Sequence, residues 1–199
     1  MDSHLMTGKI FVITGPSGVG KGTLCEALLR ENPRLTLSIS ATSRPMRAHE
    51  QDAVNYHFQT RDAFEAMIAH DRAEPTSTRH HLLEWAEYNG NYYGTPREAV
   101  EQALQSGKSV LLEIEVQGAL MVKEKFPAAC LIFIAPPSME ELERRLRGRG
   151  TEEEVSILNR LAISRDELTL SERFDHVVVN ADLDVCLNSI RTLMQGIQP

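Results

Sequence analysis

Residues 9–23 read K-I-F-V-I-T-G-P-S-G-V-G-K-G-T, and this stretch decides the fold class. Lys9–Gly15 is a β-branched, apolar run of strand length. Gly15–Gly20 is a glycine-rich turn, after which Leu24, Leu28 and Leu29 recur at helical spacing. A strand, a glycine loop and a helix in that order form a phosphate cradle. The glycines let backbone N–H groups wrap an anion, the helix N-terminus adds positive potential, and Lys21 reaches the β- and γ-phosphates of a nucleoside triphosphate. Gly15, Pro16, Ser17, Gly18, Val19, Gly20, Lys21, Gly22 and Thr23 are therefore the candidate triphosphate-binding residues. One position departs from the usual form of the loop. Gly22 stands where a Ser or Thr follows the lysine, so no hydroxyl there can ligate magnesium. Thr23, one place on, is left to contact phosphate. Mg2+ is expected to be held mainly by the triphosphate and water, with a nearby carboxylate assisting and no dedicated protein metal site.

Outward from the loop, strand and helix patterns alternate. Pro33 closes the first helix, and LTLSISAT (Leu35–Thr42) alternates like a strand before a polar, irregular stretch over 43–55 that contains Pro45. DAFEAMIAH (62–70) has amphipathic helical spacing, and PREAVEQALQ (96–105) is a second helix with Pro96 near its first turn. SVLLEIE (109–115) and ACLIFIA (129–135) read as buried strands separated by a helix over 118–126. PSMEELERRLRGRG is a helix with Ser138 as N-cap, and residues 151–174 keep a long helical period. HVVVN (176–180) is a last strand, before a closing amphipathic helix. Strands near residues 9, 36, 109, 130 and 177 predict an α/β fold with a five-stranded parallel sheet and right-handed crossovers. The stretch between the second and third of these strands is too long for a plain crossover helix, so it is expected to be an inserted lobe.

Composition bounds the rest. The 199 residues, 42% apolar and 25% charged, suit one compact unit. A net charge of −7 argues against wholesale nucleic-acid binding, so an anionic ligand must meet a local basic cluster. No run approaches the roughly 18 apolar residues that span a bilayer, and the first residues lack an apolar signal core, which points to a soluble, cytoplasmic chain. Cys25, Cys130 and Cys186 are odd in number and far apart, and read as core filler. Arg72–His81 reads as a solvated loop; a metal site from the adjacent His80 and His81 would need ligands that the spacing does not supply.

Beyond the loop, S-I-S-A-T-S-R-P-M-R, N-Y-H-F, L-E-W-A-E-Y-N-G-N-Y-Y-G-T, L-E-I-E-V-Q-G and R-L-R-G-R-G-T follow one another in an order that closely resembles guanylate kinases, from about Lys9 to the last helix. The resemblance implies a P-loop NTPase core with the five-stranded parallel sheet (9–38, 96–145 and 165–199), an inserted GMP-binding lobe (about 39–95) and a mobile lid (about 146–164). It implies ATP and GMP, or dGMP, as substrates of a monomer or small homo-oligomer.

The residue chemistry fits that implication. Guanidinium forks match phosphate bidentately, and Arg44 and Arg47 lie three residues apart; without the flanking motifs they would read as solvated surface. By resemblance they hold the GMP phosphate with Tyr56 and Tyr93. A carboxylate can accept from guanine N1–H and N2–H2 together, which adenine cannot offer, and Glu84 matches that position. Ser40, Thr95 and Glu115 match other base-contacting positions. Glu113 and Glu115 stand where some relatives carry aspartate. Family matching further assigns Arg145, Arg149 and Arg160 to the ATP phosphates and the transferring phosphoryl group and Asn180 to adenine, while Arg144 and Arg147 read equally as solvated.

The attacking GMP phosphate oxygen is already ionised near neutral pH, so no strong general base is required. The expected catalytic groups, Lys21, Arg44, Arg145, Arg149 and Arg160, act by positioning and electrostatics. Two other readings carry less. A non-catalytic interaction domain of guanylate-kinase type would typically have lost the phosphate loop, and a kinase for AMP or dTMP would not need Glu84.

Overall fold

The computed structural model describes residues 8–74, 80–88, 90–148 and 154–197. β1 (Ile10–Thr14) is buried along its whole length and lies at the centre of a five-stranded sheet of order β2-β7-β1-β8-β9, with β2 at Leu35–Leu37, β7 at Ser109–Glu113, β8 at Cys130–Ala135 and β9 at His176–Val179. Every pairing in it is parallel. These are the five strands that the sequence predicts.

Two-residue alternation along β1 divides the core between two layers. Phe11 and Ile13 pack on one face with Leu24 and Leu28 of α1 (Lys21–Glu31), Leu142 of α5 (Met139–Arg147), Leu161 of α6 (Glu154–Thr169) and Ile190 of α7 (Leu183–Ile197). Ile10 and Val12 face the other way, against Val100 of α3 (Arg97–Gln105) and Ala119 and Val122 of α4 (Val116–Lys125). Each such fully buried aliphatic side chain contributes about 1.5–3 kcal/mol, so the central strand is held rigidly on both sides. Cys25, Cys130 and Cys186 are buried, free thiols in the first layer.

Local signals set the helix ends. Ser138 Oγ accepts from the backbone N–H of Glu141 at 3.2 Å, the N-cap expected from sequence. The N–H of Asn32 closes α1 on Leu28 O at 3.2 Å, just before Pro33. Pro96 sits at the N-cap of α3 as the last residue of the preceding strand, one place earlier than a first-turn proline. Residues 154–169 form one unbroken helix.

A second sheet has the order β4-β3-β6-β5, with β3 at Ala41–Thr42, β4 at His57–Phe58, β5 at Leu82–Tyr88 and β6 at Asn91–Pro96. LTLSISAT is therefore not one strand. Ser38 N–H still reaches Leu111 O at 3.0 Å in the first sheet, but Ala41 pairs with Gly94 in the second. β5 and β6 pair antiparallel, with Gly90 (φ +74°) between the paired Tyr88 and Asn91. α2 (Arg61–Ala73) covers this sheet by packing Phe64 and Ile68 on Ala41 and Leu82. No described helix is long and apolar enough to cross a membrane.

Candidate active site

The buried C-terminal end of β1 delivers the glycine loop to the carboxyl edge of the parallel sheet, where α/β folds bind ligands. Gly15 adopts φ +139°, and a Cβ there would stand 2.2 Å from Ile134 O, so no other residue fits. The Lys21 ammonium donates to the carbonyls of Gly15 and, at 3.3 Å, Pro16, which holds it over its own loop. Three other elements converge here. Asn180, just beyond β9, donates from Nδ2 to Val19 O at 2.8 Å, and Arg145 of α5 donates to Asn180 O at 3.0 Å. Glu141 aims Arg145 through a 2.8 Å hydrogen bond, and its arginine partners hold its carboxyl down at about 2. Arg160 of α6 donates to Ser17 Oγ at 2.7 Å.

A cavity of about 200 Å³ opens beside the loop. Its walls include Ser17 and Arg160 from this cluster, Glu113 and Glu115 from the end of β7, and Ser40, Tyr56, Glu84 and Tyr93 from the second sheet and its connections. Glu84 is 3% exposed, and its Oε1 accepts from Thr95 Oγ1 at 2.7 Å. Burial pushes its carboxyl up to about 7, against the opposing pull of the Thr95 hydrogen bond and the Lys125 charge. Lys125 itself donates to Leu83 O at 2.8 Å, and burial lowers its ammonium. α4 brings Gly118 so close to Glu84 that a Cβ there would stand 2.4 Å from Oε2. Gly118→Ala should therefore displace the carboxylate and raise the KM for the acceptor nucleotide about tenfold or more, with the KM for ATP unchanged in the same steady-state assay.

Glu50 organises the nearby arginine. Arg44 and Glu50, with side chains 13% and 7% exposed, form a two-pronged pair at 2.7 and 3.1 Å. Arg44 lies 5.6 Å over the Tyr56 ring, and it pulls the Glu50 carboxyl down to about 2. Glu113 is raised chiefly by burial, with the Lys21 charge opposing. The nearest atoms to a Cβ built at Gly22 are its carboxylate oxygens, at 3.8 and 4.0 Å.

The family model described as guanylate kinase matches residues 7–196. The chain belongs to the guanylate kinase family. It is 52% identical over 188 residues to a guanylate kinase of Synechococcus sp., covering 94% of this chain and 96% of that one. It is 50% identical over 193 residues to a guanylate kinase of Synechocystis sp., covering 97% and 96%. The solved guanylate kinase of Anaplasma phagocytophilum superposes with a TM-score of 0.74 at 31% identity, covering 96% of this chain and 87% of that one.

Within this guanylate kinase fold, the structure gathers most of the candidate residues. Ser17, Ser40, Tyr56, Glu84, Tyr93, Glu115 and Arg160 share one cavity, and Thr95 supports Glu84 from behind. Lys21, Arg145 and Asn180 meet at the loop. Arg47 is exposed and does not line the cavity; its backbone N–H donates to Glu50 at 2.8 Å. Arg149 lies outside the described residues. Arg144 and Arg147 are in ion pairs with Glu141, Glu143 and Glu154 on the surface.

Three contributors escape the sequence reading. Glu50 fixes Arg44, and Tyr88 lines the cavity with Arg160. Burial, together with the neighbouring Glu115 carboxylate, pushes Glu167 up to about 7. Glu167 had a signal: seven residues after Arg160, it falls on the same face of a 3.6-residue helix.

Proposed function

We propose that this chain transfers the γ-phosphoryl group of ATP to GMP, or to dGMP, giving ADP and GDP or dGDP. The observation that carries the reading is that the phosphate loop and the Glu84 pocket open on one another: Ser17 and Arg160 border the same cavity as Ser40, Glu84 and Glu115. ATP phosphates on the Gly15–Thr23 loop and guanine against Glu84 would place donor and acceptor phosphates between Lys21, Arg160 and the Arg44–Tyr93 group. A GMP phosphate oxygen attacks the γ-phosphorus in line as the bond to the β-phosphate oxygen breaks, and ADP leaves. Lys21 and the arginines neutralise repulsion between the two anions and the charge on the equatorial oxygens. Glu50 holds the Arg44 fork in place before substrate arrives, so that its ordering is not a cost of binding.

Glu84 reads the base. As a carboxylate it accepts from N1–H and N2–H2 of guanine, while Thr95 fixes its orientation. Asn180 and Arg145, braced on Val19, form the edge against which adenine packs. Mg2+ suits the oxygen donor beside the loop: the Glu113 carboxylate oxygens stand 3.8 and 4.0 Å from where a Cβ at Gly22 would be, the position at which other phosphate loops place a hydroxyl residue. Bound there through water and the ATP phosphates, the ion would supply charge neutralisation at the β- and γ-oxygens. Release of ADP measured against a panel of nucleoside monophosphates tests the whole reading.

A further inference from the structure

The adjacent His80 and His81 lack partners in sequence, and the fold supplies two for His81. His70 and Asp71, in the last turns of α2, stand against His81, just before β5. One ligand atom from each of His70, Asp71 and His81 lies within 4.8 Å of the others. We propose that these three residues bind a divalent transition-metal cation of the zinc class, at a site outside the nucleotide cavity.

The Asp71 carboxylate is already fixed: Oδ1 accepts from His81 N–H at 2.8 Å and Oδ2 from Leu82 N–H at 2.9 Å. These backbone bonds leave lone pairs for a cation and keep Asp71 from swinging away. His70 Nδ1 stands 3.4 Å from Asp71 Oδ1, and the His70 and His81 rings are 4.7 Å apart between centroids. Tetrahedral coordination at ordinary Zn–N and Zn–O lengths needs ligand atoms about 3.4 Å apart, so imidazole rotations that close the widest separation by up to about 1.4 Å complete the set. Both imidazoles are exposed and water can take the fourth position, whereas His80 is turned away, its Nε2 2.7 Å from Glu74 O. Two imidazoles and one carboxylate favour zinc, nickel or copper over magnesium, so the cation used with ATP would not compete. The bound ion would clamp the end of α2 to the start of β5, the strand that carries Glu84.

The test is equilibrium dialysis of the full chain against zinc chloride in excess magnesium. One zinc per chain is expected, with affinity reduced at least about 100-fold in His70→Gln and in His81→Gln, beyond what loss of an outer-shell partner costs. His49→Gln, an exposed histidine elsewhere, should bind as the wild type does. Asp71 is left intact in every variant because it anchors two backbone N–H groups. Cobalt(II) substituted for zinc should give a visible spectrum without thiolate charge transfer. Equal zinc affinity in wild type and both variants, no stoichiometric zinc in the wild type, or a thiolate band would overturn the proposal.

Discussion

Lys21→Ala is expected to lower kcat about 100- to 1,000-fold while leaving the fold intact, since removing one preorganised donor from a developing anion costs about 2.7–4 kcal/mol. The lysine's side chain hydrogen-bonds carbonyls of its own loop, and it is the first residue of α1 rather than part of the core. An unchanged thermal melting curve beside the lost turnover would separate chemistry from stability. Near-normal turnover would remove the phosphate loop from the account.

Glu84→Gln should act on the other substrate. Glutamine keeps the shape and an oxygen for Thr95, but its amide cannot accept from both guanine donors. One lost hydrogen bond to a charged group is worth about 1.5–3 kcal/mol, so the KM for GMP should rise about 10- to 150-fold with little change for ATP. The pH dependence sharpens the test. Only the ionised carboxylate accepts both donors, and the Glu84 carboxyl sits at about 7. Wild-type affinity for GMP should therefore fall as pH drops through 7, by about tenfold per unit below it. The GMP phosphate also titrates near pH 6, but the variant shares that contribution, and its profile should lack the Glu84 component. Parallel profiles would place the guanine reader elsewhere.

What the sequence shows of this architecture is what is local. β1, the glycine loop and α1 are contiguous, so strand period, turn glycines and helix period appear within 23 residues. The parallel strands are recognisable because each is an apolar run between helices. The second sheet is not: β5 and β6 form a local hairpin, but β3 and β4 are two residues each and join it through distant partners, Ala41 meeting Gly94. Leu35–Thr42 alternates without interruption while changing sheets, since alternation reports extended backbone and not which edge it joins. The candidate site divides in the same way. Lys21 and Glu84 lie in motifs, whereas Glu50 acts through Arg44 and Glu167 through Glu115, contacts that exist only once the chain is folded. His70, Asp71 and His81 come together only because α2 packs beside β5.

The central claim is that one cavity joins an ATP-binding loop to a reader of guanine. The most direct measurement is ADP release from ATP with GMP, dGMP, AMP, dTMP and UMP offered in turn. Rapid ADP formation with GMP, turnover of dGMP through the same base edge, and little above background with the other three is the predicted result. Comparable rates with AMP, or no GMP-dependent ADP, would contradict it.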